Sequence, residues 1–404
     1  MMPERSPGEA RAGAGAKGLR IAVLNRTFSS TGGGAERYSI AMVEALAARH
    51  EIHVYAQEID HSWPGVAYHR VAMPLRRPRW VNQLWFAYAT WRATRRGFDV
   101  VHSHENTWHG NVQTVHVIPV KSSLFQGRSG MRRALRWLKV ATSPRLLAYL
   151  LLERARYAVR PGRLVVATSG SLKAVMKESY PASGTMLRQV TPGTTLPKAP
   201  MTPARRYDAR MRLGLPPDGR CLLFVANDYR KKGLDALLVA LARLPADVVL
   251  AVAGNAAHIP VFRNQAARLA LADRVFFLGA VKDIGTAYQA ADCLVHPTLE
   301  DTFAMVVLEA MAHGLPVVVS GPAYCGISGL MRPGFDAVLL DDPRDAGGLA
   351  AAIAQVLDRP GFAARLGAEA TSFAKRFQWR ERALEQESLY FEVTGKIRAK
   401  AQAG

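Results

Sequence analysis

The sequence predicts an α/β protein built from two Rossmann-like, doubly wound parallel-sheet domains that face a cleft. Three observations carry that prediction. At 404 residues the chain exceeds what one ordinary core organises. Short apolar, β-rich runs alternate with helical periodicity through both halves. Between the halves, residues 181–203 are rich in Pro, Thr and Ser and read as a linker. The expected divisions are a disordered tail over 1–18, a first domain over 19–197, a second over 198–378, and a C-terminal helix and tail over 379–404.

Composition narrows the function classes. A hydrophobic content of 49% with 21% charge describes a folded chain. Cys221, Cys293 and Cys325 are too few and too scattered for a disulfide framework or a zinc module, so a reducing compartment is expected. Residues 1–18 have no apolar core and do not read as a secretory signal. The longest strongly apolar patch, 146–152, is far short of the roughly 20 residues that span a bilayer. The net charge of +21 is one-sided: residues 1–200 carry 29 Lys+Arg against 11 Asp+Glu, and 201–404 carry 24 against 21. The first half is therefore expected to meet something anionic: lipid headgroups, a phosphorylated glycolipid or nucleic acid.

In chain order, residues 19–25 are a β-rich run that meets Gly32, Gly33 and Gly34 before a helix with Ile40, Val43, Leu46 and Ala47 on one side. Such glycines let a phosphate approach the backbone N–H groups of a helix start, although a turn without a ligand has the same composition. Residues 51–56 form a second strand. Residues 70–96 hold seven arginines and no acid, with Val81, Leu84, Trp85, Tyr88 and Trp91 at helical spacing. They fit an interfacial amphipathic helix with aromatics at headgroup depth, or a core helix with solvated arginines. A third strand, 98–104, runs into His102 and His104, with His109 following; no further ligand completes a familiar metal set. The fourth, 112–118, places His116 near the end where open parallel sheets bind ligands, or where a structural histidine hydrogen-bonds. Residues 121–163 contain eleven basic residues and one acid, Glu153, and share the amphipathic character of 70–96. Their aromatics lack any RNA- or DNA-binding signature, so no nucleic-acid partner is expected. Residues 164–176 close this half as strand, turn and helix.

The second half repeats the alternation, with strands near 221–227, 247–254 and 274–280 and helices from about Gly233 and near 260–271. Arg230, Lys231 and Lys232 stand at the mouth of its first strand–helix loop, where three cations suit a diphosphate. Residues 296–320 read as a strand end, an acidic loop, a helix, a Gly-Pro break and a buried strand. Asp301 and Glu309 sit eight positions apart, which on a helix is a drift of only ~80°. Both acids are thus expected to look toward one ligand at a helix N-terminus, whose N–H groups suit a phosphate. Helices over 345–358 and about 379–394 follow.

Together these features resemble the retaining, GT-B-fold glycosyltransferases of family 4, over about residues 19–392. The most specific match is LEDTFAMVVLEAMAHGLPVV, an acid-x7-acid element followed by E-A-M-A-x-G-x-P-V-V; GGGAERYSIAMVEAL, FDVVHSH, TVHV, NDYRKKGLD and FLGAVKDIGTAYQAADCLVHPT support it. A narrower resemblance is to enzymes that extend the core of bacterial lipopolysaccharide. The resemblance implies a nucleoside-diphosphate sugar bound mainly to the second domain. It implies Glu309 on the ribose hydroxyls, Asp301 on hydroxyls of the donor sugar, and the backbone of Phe303, Ala304 and Met305 along sugar and phosphates. Arg230, Lys231 and Lys232 would stabilise the diphosphate, Gly33 and Gly34 would approach it, His116 would sit beside the reacting sugar, and Val281 would border the base. The final helix would cross back onto the first domain.

The sequence departs from the family pattern in places. The first acid is Asp301 where Glu is commoner, with Glu300 adjacent as a rival for its role. Asn227 stands where many relatives carry Arg, and PGTTL (192–196) replaces the usual P-N-G-V-D. No D-x-D motif is present, so no metal and no resident cofactor are expected. The expected activity is retaining transfer of a sugar, from a UDP-sugar, to a lipid-linked or lipopolysaccharide-core acceptor. The enzyme would be cytoplasmic and peripheral on the inner membrane through residues 70–96 and 121–163. The rival functions are a nucleotide-sugar epimerase or hydrolase on the same fold, and a basic nucleic-acid-binding protein.

Overall fold

The computed structural model describes residues 18–29, 32–75 and 77–395; nearly all of the expected tail over 1–18 lies outside them. The first domain is a seven-stranded parallel sheet: β1 Arg20–Leu24, β2 Glu51–Ala56, β3 Val66–Arg70, β4 Val100–Ser103, β5 Val112–Val115, β6 Leu164–Ala167 and β7 Leu187–Gln189, in spatial order β3-β2-β1-β4-β5-β6-β7. The second has six: β8 Arg220–Ala226, β9 Val248–Gly254, β10 Val275–Gly279, β11 Cys293–His296, β12 Val317–Ser320 and β13 Val338–Leu340, in order β10-β9-β8-β11-β12-β13. Every pairing within these sheets is parallel. In both sheets the order reverses beside the first strand of the unit, which opens the crevice where ligands bind. Central strands such as β5, β6, β11 and β12 are buried at every residue. That burial explains why they read as unbroken apolar runs and not as alternating ones.

Seven helices position the surfaces of interest: α1 Gly34–Leu46, α2 Arg79–Thr94, α3 Gly130–Ala141, α4 Pro144–Arg156, α5 Ile284–Ala290, α6 Met305–Ala312 and α7 Trp379–Thr394. In α1, Ile40, Val43 and Leu46 are buried, each contributing about 1.5–3 kcal/mol of burial. α7 packs on α1 and touches β4 and β5, so the last helix among the described residues lies on the first domain. The crossing is pinned where Thr194 and residues 377–379 pair: Thr194 N–H donates to Phe377 O at 2.7 Å, and Trp379 N–H to Thr194 O at 3.3 Å. One apolar cluster runs from the first sheet through Met305, Val307 and Leu308 to Leu389 and Tyr390, so the two domains share a core at the cleft floor.

Two expectations are corrected. Residues 70–96 are helical only from Arg79, because β3 takes up Arg70 as an edge strand and residues 71–75 and 77–78 run without regular structure. The strand expected over 112–118 ends at Val115, so His116 lies just beyond a strand end. Among the described residues no helix is long and apolar enough to cross a membrane.

Candidate active site

The carboxyl ends of β8 and β11 deliver the basic loop and the acidic loop to the same place. Gly233, at φ +84°, lets the basic loop close against the chain after β11; a Cβ there would fall 1.9 Å from Pro297 O. The approach seats Lys232 Nζ 2.6 Å from Asp301 Oδ2 and 2.9 Å from Glu300 O, while Lys231 Nζ pairs with the Glu300 carboxylate. Arg230 is not drawn into this group. Its side chain is 73% exposed and pairs with Asp235 at 3.7 Å.

Asp301 is not on the helix. Its Oδ1 accepts the N–H groups of Phe303 (3.1 Å) and Ala304 (2.8 Å), forming a turn that delays the helix until Met305. Ala304 takes φ +70°, a left-handed conformation that costs a residue with a Cβ about 1–2 kcal/mol. The shared-face argument from an eight-residue spacing therefore fails. Asp301 reaches the α6 N-terminus because its loop folds back over the first residues of the helix. Since Asp301 occupies the Phe303 and Ala304 amides, the residues expected to lie along the sugar offer less free backbone there than the pattern implied.

Electrostatics keep Asp301 ionised. Burial opposes the charge, but a hydrogen bond from His296 Nε2 at 3.3 Å and the Lys232 ammonium outweigh it, holding the carboxyl well below the usual range. His296 itself is pushed down by burial, against the pull of Asp301. Glu309, one turn into α6, accepts the Tyr288 hydroxyl of α5 at 2.7 Å and the Arg37 guanidinium of α1 at 2.8 Å. Val281 lies on the segment leading into α5.

The first domain closes the other wall. A Cβ on Gly34 would stand 3.5 Å from Met305 Sδ, and one on Gly33 3.8 Å from Asn227 Nδ2, so the glycine loop faces α6 and the basic loop directly. His116 is joined to the acidic loop by its carbonyl, which accepts the Thr302 hydroxyl at 2.7 Å. Its ring shares a hydrogen bond with His104 at 2.9 Å and meets Tyr38 edge-on. Burial, then the nearby Arg156 guanidinium, pushes His116 down to about 3, so the imidazole is neutral at physiological pH.

The cleft thus gathers Gly33, Gly34, His116, Lys231, Lys232, Asp301, Phe303, Ala304, Met305 and Glu309, and leaves Arg230 outside. Sequence reasoning missed Arg37, Tyr288 and His296. His296 ends the strand that feeds the acidic loop, which was a signal within reach. Arg37 follows the glycine loop by one turn, but nothing local points it at Glu309, 272 residues away. Chemically, two lysines, the carboxylates that hold them and a helix N-terminus face the glycine loop of the first domain: a site for an anion attached to a polyhydroxylated group.

Comparison with known proteins agrees with this architecture. Residues 32–195 match the family described as Glycosyltransferase Family 4, and residues 206–373 match Glycosyl transferases group 1. Among curated relatives, the chain is 32% identical over 258 residues to a D-inositol 3-phosphate glycosyltransferase of Thermobispora bispora, covering 60% of this chain and 58% of that protein. It is 36% identical over 231 residues to the one of Geodermatophilus obscurus, covering 54% and 49%. The chain thus spans about half the length of the curated relatives it matches. Among solved structures, WaaG, a glycosyltransferase involved in lipopolysaccharide biosynthesis, superposes with a TM-score of 0.79 at 20% identity over 92% of this chain and 99% of that one. Anabaena Alr3699/HepE in complex with UDP-glucose gives 0.71 at 18% over 92% and 99%. The likeness to a lipopolysaccharide enzyme is therefore one of fold, and the curated sequence relatives carry inositol phosphate names. On these matches the chain consists of a Family 4 glycosyltransferase domain followed by a group 1 glycosyltransferase domain, joined in a GT-B fold.

Proposed function

We propose that this protein transfers a sugar from a nucleoside-diphosphate donor, with retention of anomeric configuration, to a hydroxyl of an anionic, lipid-linked acceptor. The observation that carries the reading is the meeting of Lys231, Lys232, the α6 N-terminus and Glu309 with the glycine loop of the opposite domain. As the glycosidic bond breaks, negative charge collects on the leaving diphosphate. The two lysines and the α6 dipole stabilise it there more than in the ground state, without calling on a metal. Asp301 and Glu300 hold the lysine heads and reach toward the sugar. Glu309 receives the ribose. His116, neutral, positions the sugar or acceptor and does not serve as the base. The departing phosphate takes the acceptor proton on the same face, which gives retention. Two outcomes test the donor: a nucleoside-diphosphate sugar at 100 times its Kd raises stability by about 2.7 kcal/mol in a thermal-shift screen, and Glu309→Gln removes most of that shift while leaving the unliganded melting curve close to wild type. A screen with no shift and no turnover on any such donor overturns the reading.

Surface chemistry supports the lipid-linked acceptor. On α3, Met131, Leu135 and Leu138 form an exposed stripe at i, i+4, i+7, with Arg132, Arg136 and Lys139 beside it and Trp137 exposed as well. On α2, Trp85, Tyr88 and Trp91 stand in an exposed row, their rings 6.1 Å apart. Both helices pack on α4, which adds exposed Leu147 and Leu151. Apolar stripes flanked by cations suit the headgroup layer of an anionic membrane, here the cytoplasmic leaflet. Wild-type protein is expected to float with vesicles of phosphatidylglycerol and to stay behind with neutral ones. At about 1 kcal/mol per basic residue near the surface, Arg132→Ala/Arg136→Ala lowers vesicle partition about thirtyfold. Protein that stays in the aqueous phase with anionic vesicles removes the membrane from the proposal. The second reading, a soluble inositol phosphate acceptor, is favoured by the names of the curated relatives. Turnover with inositol 3-phosphate in the absence of lipid decides for it.

A further inference from the structure

Resting on the donor-site reading, we propose that Arg37 is the first domain's cation for the donor diphosphate, and that the nucleotide ribose releases it by competing for Glu309. The inference starts from how α1 and α6 meet. Gly34, the first residue of α1, faces Met305, the first residue of α6. One turn further along each helix, Arg37 faces Glu309. Both contacts lie at the helix starts, so the N-terminal turns of α1 and α6 meet across the cleft. Asp301 already caps the α6 N-terminus, whereas the α1 N-cap Gly33 brings no side chain, so the partly positive start of α1 is the end left open to an anion. That end of the pair is also where the glycine loop, Lys231 and Lys232 converge.

Glu309 already accepts three hydrogen bonds, which leaves one of its roughly four lone pairs open, on Oε1. Arg37 Nη1 reaches both of its oxygens, at 2.8 and 3.0 Å, and the Tyr288 hydroxyl takes Oε2 at 2.7 Å. A ribose that donates both of its hydroxyls to this carboxylate needs one lone pair more than remains, so one present partner must give way. Tyr288 is buried and fixed within α5, whereas the Arg37 side chain is part-exposed on a flexible stem, so Arg37 is the partner that yields. Its Nε, buried and without a hydrogen-bond acceptor among the described residues, has nothing to lose in that move. The released guanidinium sits one turn from the glycine loop and within the same crevice as the diphosphate.

The second domain has a deficit for Arg37 to fill. The residue of its basic loop that faces the glycine loop is the uncharged Asn227, and Arg230 points out to Asp235. Lys231 and Lys232 are each paired to an acid, Glu300 and Asp301. A diphosphate arriving here finds two partly neutralised lysines and no free arginine unless one comes from across the cleft. A guanidinium also binds phosphate in a two-pronged geometry that a lysine cannot match.

The test compares nucleosides with their diphosphates on full-length protein, by calorimetry and ligand-observed NMR, for wild type, Arg37→Gln and Arg37→Lys. The expected result is a split. Arg37→Gln weakens diphosphate binding about 10- to 100-fold, the loss of a charged hydrogen-bond partner. Nucleoside binding stays constant or tightens, because Glu309 is no longer contested. Arg37→Lys restores part of the diphosphate affinity. Equal weakening of nucleoside and diphosphate in Arg37→Gln shows a merely structural role and overturns the inference, as does an unchanged ratio of the two affinities. If wild type binds none of the nucleoside diphosphates, the donor-site reading itself fails and this inference falls with it.

Discussion

Lys232→Ala is expected to lower turnover at saturating donor by about 10²–10³-fold, the usual consequence of removing one group that stabilises charge developing in a transition state. The expectation comes from position and not from charge alone. Lys232 Nζ is held by Asp301 Oδ2 at 2.6 Å and by Glu300 O at 2.9 Å, with its side chain 20% exposed, so it is preorganised in a half-buried site. Lys231 pairs with an exposed acid and Arg230 with another, and screening by water makes each worth much less. Substitution at either is expected to act mainly on donor KM. The fold tolerates the loss of Lys232, because Asp301 keeps the Phe303 and Ala304 amides and His296. Steady-state kinetics distinguish the roles: a fall in kcat and kcat/KM together marks an interaction made in the transition state, whereas a rise in KM alone marks uniform binding. If kcat changes less than about threefold, Lys232 is a tether for Asp301 and the α6 N-terminus carries the leaving group.

What the sequence disclosed, and what it hid, divides along physical lines. Continuous apolar runs such as CLVH and VVVS are legible because a strand buried on both faces has no reason to alternate. The glycine loop and the basic loop are legible because backbone approach to a phosphate demands particular residue types. Asp301 shows where such reasoning breaks. The spacing to Glu309 suggested one helical face, yet Asp301 caps a turn outside the helix, and the left-handed Ala304 that permits the turn carries no local signal. Arg37 marks the other limit. Its partner is set by the docking of two domains, and only the three-dimensional arrangement reveals that a residue of the first domain holds the acid of the second. The basic stretch over 70–96 reads as one helix because its composition is uniform, whereas Arg70 belongs to a strand and the helix starts only after Pro78.

Acid is expected to unfold the first domain well above the pH at which its carboxylates titrate. His102, His104 and His116 form a row behind the cleft, with ring centroids 4.3 and 5.2 Å apart. His102 bonds to the Tyr390 hydroxyl and the Thr114 hydroxyl at 2.7 Å each, and His104 to His116, so neutral partners satisfy them. Charging any one is opposed first by burial and then by the other rings and the Arg156 guanidinium, which itself is buried against the Gln113 side chain and Thr114 O. His102 and His116 are pushed down to about 3, and His104 well below its usual value. The sign follows. Above pH 6.5 folded and unfolded chains both hold these rings neutral, and their contribution to stability is whole. As pH falls below 6.5 the unfolded chain takes up three protons that the folded chain refuses, and stability is lost progressively until the folded values are reached. At about 1.4 kcal/mol per proton per pH unit, the limiting slope for the three is about 4 kcal/mol per unit. His109, pushed down to about 4 by burial and Arg163, adds in the same direction. Asp301 acts with the same sign but only below the unfolded carboxylate range, whereas Glu153, whose carboxyl burial pushes up, acts with the opposite sign, so the histidine share is read from a histidine variant. Amide hydrogen exchange of β4 and β5 between pH 7.5 and 5, corrected for intrinsic rates, measures the slope strand by strand. His104→Gln should remove about a quarter of it, while a flat profile would mean that the folded row accepts protons, and His116 would then have to be reconsidered as an acid.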